Sequence, residues 1–236
     1  MMKKRNKNLV ILAAVLLVFV IGTVSAYFTS SDKAVNVWTV GEVEIDLQEP
    51  SWDPDNPPEK IRPNQVFAKD PQIKNTGENE AFVFLKVRVP MADIASADVE
   101  TGERIASVNK ELFSYEVNQG WAQIGNSSIE NIDGVDYTTY IYAYGSEQAC
   151  TKLNAGNTTS PALFNEVKFV NAIEGQGLES VVIEMPIEAY GIQTTDITDR
   201  DVTSPEEVWN VLNNQTVKNG GAVAPYNGST ENNLPR

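Results

Sequence analysis

Apolar and polar positions follow two regimes along this chain. Leu9 to Ile21 is an unbroken apolar run of 13 residues. Beyond it, apolar residues mostly alternate with polar ones, the period of strands with one buried face. Val43, Ile45 and Leu47 alternate with Glu44 and Asp46. Residues 48–62 hold Pro50, Pro54, Pro57 and Pro58, so they read as a loop that cannot join a sheet. The 72–74 segment, the turn Asn75-Thr76-Gly77-Glu78-Asn79 and the run 82–89 read as a hairpin. In that run Val83, Leu85, Val87 and Val89 share one face, and Phe82, Phe84, Lys86 and Arg88 take the other. Phe113, Tyr115 and Val117, then Trp121 to Ile124, then Tyr137 to Tyr144, and 167–173 continue the strand pattern, with a polar loop at 126–133. In 181–190, Val181, Ile183, Met185, Ile187 and Ala189 are expected inside and Glu184 and Glu188 in water, with Pro186 placing that strand at a sheet edge.

One helix is expected. Ser204 supplies an N-cap, Pro205 the first helical position and Glu207 the third, ahead of the stripe Val208, Val211 and Leu212. After Asn213 periodicity ends, and 214–236 reads as a disordered tail. The fold class that follows is all-β: a two-sheet jelly-roll or Greek-key sandwich over 42–213 with one short C-terminal helix.

The first regime has its own chemistry. Lys3, Lys4, Arg5 and Lys7 precede the apolar run, and Val24-Ser25-Ala26 puts small residues before a cut between Ala26 and Tyr27. These are the three parts of a secretory signal peptide, residues 1–26. The alternative, an uncleaved anchor, needs about 20 apolar residues, more than this run provides. The expected location is therefore outside the cell or on its surface, with membrane contact only before cleavage. Residues 27–41 then form an extended, mildly apolar segment closed by Gly41. Val35, Val37, Trp38 and Val40 mark it as a candidate strand for self-assembly, donated to the open edge of another copy.

Charge narrows the partners. The net charge is −14, and since residues 1–26 contribute +4, residues 27–236 carry −18. That sign excludes nucleic acid as a natural partner. The chain has no histidine, which removes Ser-His-Asp and Cys-His catalysis and every His-ligated metal site, so no enzyme activity is expected. The single cysteine, Cys150, rules out an intramolecular disulfide. No cofactor is expected. Asp53, Asp55 and Glu59, and Asp196, Asp199 and Asp201, leave calcium open, but the latter spacing lacks the glycine and distal glutamate of an EF-hand loop. Asn126, Asn157 and Asn214 open Asn-x-Ser/Thr triplets that matter only in a glycosylating pathway. Tyr140, Tyr142 and Tyr144 form a stripe that reads either as a ligand platform or as an ordinary packed sheet face.

Some of these residues resemble a known family. Gly22 to Thr29, Asn36 and Val40-Gly41-Glu42-Val43-Glu44-Ile45-Asp46-Leu47 resemble the signal peptide and first strand of TasA/camelysin proteins, secreted by Gram-positive bacteria. Lys69-Asp70-Pro71, Asn75-Thr76-Gly77, Leu163-Phe164, Asn171 and Ala189-Tyr190-Gly191-Ile192-Gln193 extend the likeness over most of 22–193. The resemblance implies processing by a SipW-type signal peptidase, a jelly-roll sandwich and, as in biofilm-matrix fibres, subunits joined by N-terminal strand donation. The metallopeptidase name given to some camelysins finds no histidine here to carry it. The function expected is a secreted structural subunit of matrix or cell-surface fibres. The alternative is a monomeric binding module for carbohydrate, peptide or calcium.

Overall fold

The computed structural model describes residues 43–52, 61–176, 178, 183–195, 197 and 202–218. The signal peptide with its Ala26–Tyr27 cut, the segment Val35, Val37, Trp38 and Val40, and the acids at 53, 55, 59, 196, 199 and 201 lie outside those residues. The rest is mostly β, with one short helix. In chain order the strands are β1 (Ile45–Gln48), β2 (Val66–Ala68), β3 (Gln72–Asn75), β4 (Ala81–Ala97), β5 (Arg104–Glu111), β6 (Phe113–Ser114), β7 (Trp121–Gln123), β8 (Ser128–Ile132), β9 (Val135–Tyr144), β10 (Glu166–Phe169) and β11 (Ile187–Gln193). The helix is α1 (Pro205–Lys218).

The long strand β4 organises the rest. Its first half pairs with β11 on one side and β9 on the other, and β7 and β8 both extend the sheet beyond β9. Pro90 sits where these pairings end, as suits a residue with no amide proton to give to a ladder. Past it, β4 pairs with β5. Smaller sheets are β1–β3 and β2–β10–β6, all antiparallel.

Both faces of β4 are buried, because its pattern is apolar on both. Val83, Leu85, Val87 and Val89 enter one cluster with Ile45, Leu47, Ile73, Leu163, Phe164, Val167 and Phe169. Phe82 and Phe84 enter a second with Ala143, Ile192 and, from α1, Val208, Trp209 and Leu212. The side chains of Val43 and Ile45 come so near β11 that a Cβ on Gly191 would lie 3.1 Å from Val43 Cγ1 and 3.2 Å from Ile45 Cγ2. Any side chain there would have to push those methyl groups back by a few tenths of an ångström.

Five expectations are corrected. The strand at 72–75 is no hairpin partner of β4; it pairs with β1, in register Ile45 to Asn75. The buried Asn75 side chain steers the chain away, donating to the carbonyls of Asn79 (2.8 Å) and Leu153 (2.9 Å). Glu188 does not face water but is buried, because α1 covers part of that sheet face and Arg88 supplies its counter-charge. The polar stretch 126–133 contains β8, folded back on β9 by the turn Asp133-Gly134, both at positive φ. The helix continues through Lys218, so it takes in the first five residues assigned to the tail. Pro186 does precede an edge strand, which runs Ile187–Gln193 rather than 181–190.

Candidate self-assembly edge

The second half of β4 and all of β5 make a two-stranded arm. Its turn is built locally. Asp98 accepts from the amides of Glu100 (3.0 Å) and Thr101 (2.8 Å), Gly102 takes φ +72°, and the amide of Asp98 bonds Glu103 O at 2.8 Å. The Thr101 amide, with that of Glu100, holds the Asp98 carboxyl below its usual range. Residues 104–109 of β5 are all exposed. Ile105 (44%), Val108 (50%) and, at the turn, Val99 (73%) present apolar side chains to solvent.

One edge of β5 is spent on β4, from Met91 opposite Glu111 to Ala97 opposite Arg104, with a bulge at Ile94/Ser96. Its other edge pairs with no strand among the described residues. Beside the arm lie two shallow depressions of about 420 and 320 Å³, whose walls share Ser114 and Val170. Lys110 and Glu111 line the first, Val99 and Ile105 the second. An exposed apolar edge of this length is a template for an added strand.

The tyrosine stripe is engaged internally. Tyr142 is buried, and its hydroxyl meets that of Tyr115 at 3.0 Å. Tyr140 donates to Glu111 Oε1 at 2.5 Å, and Tyr144 to Ser160 O at 3.0 Å. Burial and then the Glu111 carboxylate push the Tyr140 hydroxyl well above the ordinary tyrosine range. Trp121 packs on Tyr144, its ring centre 5.2 Å away.

A second polar group lies on the α1-facing side of the main sheet. Arg88 and Glu188, 4% and 3% exposed, are joined at 2.5 Å. Glu130 accepts from Arg88 Nε at 2.9 Å and pairs with Lys86 at 3.2 Å, while Tyr190 donates to Glu188 at 2.6 Å. Burial opposes charge on Glu130, but the Arg88 hydrogen bond and the Lys86 charge outweigh it and keep its carboxyl below the usual range. These groups satisfy one another, the arrangement of a structural network. Cys150 is buried in the cluster under α1, and burial pushes its thiol up to about 12. Among the described residues no group of three or more His, Cys, Asp or Glu side chains could hold a metal ion.

No family model, curated protein or solved structure matches this chain.

The sequence did not signal β5. Its apolar residues, Ile105 and Val108, are three apart because the bulge breaks the alternation that a regular strand would show. The eight-residue length and the open edge become visible only in the pairing.

Proposed function

We propose that the protein is a secreted, non-enzymatic structural subunit of extracellular fibres, of biofilm-matrix or cell-surface type. Its subunits join by donation of the segment at residues 27–41 to the sheet of the next copy. The scaffold on this reading is a jelly-roll sandwich like that of the TasA/camelysin family, exported through a SipW-type peptidase. The observation that carries it is the outer edge of β5, which pairs with no strand among the described residues and exposes Ile105 and Val108. The bulge and the charges of Arg104, Lys110 and Glu111 temper that edge, yet Ile105 and Val108 stay exposed for a partner strand to cover. The engaged tyrosine hydroxyls support the structural reading over the ligand-platform one.

Electron microscopy and size exclusion of the secreted protein test the proposal. Fibres and a concentration-dependent rise in mass are the expected result, with Tyr27 as the N-terminal residue by mass spectrometry. A protein that stays monomeric at every concentration would overturn it.

A further inference from the structure

We infer that the acceptor site of this assembly is the outer edge of β5 with the adjoining depressions, and that its occupant is Tyr27–Val40 of a second copy. This rests on the fibre reading and gives it an address.

Four observations carry the assignment. The first is length. Among the described strands with an open edge, β1, β2, β8 and β11 have four, three, five and seven residues, whereas β5 has eight. Fourteen residues from Tyr27 to Val40 span roughly 46 Å when extended, enough to cover an eight-residue strand of roughly 27 Å.

The second is what an added strand would cover. On β11, also an edge, Ile187, Ala189 and Ile192 are already buried, so a newcomer there gains little beyond main-chain bonds. On β5 it gains those bonds and also shields Ile105 and Val108. The third is shape, since residues of the arm reach the rim of both depressions, Lys110 and Glu111 in the first and Val99 and Ile105 in the second.

The fourth is charge. Most surfaces of residues 27–236, at −18, repel their own copies. The strand β5 carries Arg104 and Lys110 against Glu111, and Tyr27–Val40 carries only Asp32 and Lys33. One is weakly basic and the other neutral, so these two stretches meet without that repulsion.

The orientation of the edge supplies the test. Leu112 donates inward to Pro90 O at 2.8 Å, and period-two alternation then turns the Asn109 amide outward. Asn109→Pro removes that outward donor, and Val108→Glu places a charge on the strand without touching the ladder to β4. Each variant is made in the secreted protein and its fold checked by circular dichroism. A synthetic Tyr27–Val40 peptide is added to protein lacking those residues, and hydrogen exchange is read by mass spectrometry. The expected result is slowed exchange at 104–111, with peptide binding by Val108→Glu and Asn109→Pro weaker by roughly tenfold or more. If Asn109→Pro does not fold, Val108→Glu decides.

Peptide protection at another strand, or full assembly by both variants while the deletion protein fails to assemble, overturns the β5 address and leaves the fibre reading standing. A peptide that binds nowhere, together with a deletion protein that assembles like the full chain, overturns both.

Discussion

Arg88 and Glu188 face each other with almost no access to water; Arg88 is the cation paired with Glu188, and it also pairs with Glu130. Removing the cation leaves the buried Glu188 carboxylate uncompensated, and Arg88→Ala should cost about 3–5 kcal/mol in urea unfolding. Glu130, at the rim of the same network, titrates below the ordinary 4.5. A carboxyl held low when folded stabilises above its unfolded pKa, and that contribution is lost as pH falls through the lowered value. Melting temperatures followed downward from pH 5 should fall less steeply in Glu130→Gln than in the parent chain. Cys150 combines burial with a thiol pushed up to about 12, so at pH 8 it is both shielded and protonated. Iodoacetamide should leave the native protein unlabelled and modify it fully in denaturant; rapid native labelling would show that the α1 side opens readily.

Among the elements, α1 holds the second face of the main sheet with Val208, Trp209 and Leu212, and Trp209 rests against Phe84 and Tyr190 at ring distances of 5.4 and 5.3 Å. Leu212→Ala should cost about 2–5 kcal/mol, the usual loss for a buried leucine, read as a shift of the unfolding midpoint. The start of this helix was legible: the amide of Val208 bonds Ser204 O at 2.9 Å, and Pro205 opens the helix. The first half of the central strand was legible too, as the alternating run 82–89, but its continuation past Pro90 to Ala97 was not. The partners of β3 and β4 were not, because alternation fixes which face a residue shows and is silent about which strand lies beside it. Strands β5 and β8 were missed for a related reason. They sit at the surface with few apolar residues, so no buried stripe announces them. The candidate edge was therefore the least legible feature, and the donor segment proposed for it was read from sequence alone.

At the scale of the whole molecule, charge governs encounter. Cleaved copies at −18 repel over the Debye length, which falls from roughly 30 Å at 0.01 M salt to 8 Å at 0.15 M. Added salt should therefore shorten the lag before assembly in light scattering, and a lag that lengthens would point to ionic rather than strand-based joints. The path of β4 carries one more consequence. The strand enters the arm at its far end and runs unbroken into the main sheet, where β11 and β9 each grip seven of its residues. Tension applied at the arm is thus delivered lengthwise into the sheet, and the bonds on both flanks must give way together, in shear. Pulling on β11 from its end would instead peel that strand's pairs one after another. A single molecule stretched from the Val99–Gly102 turn should hold to a higher rupture force than one stretched from β11, which makes β4 the tendon of the fold.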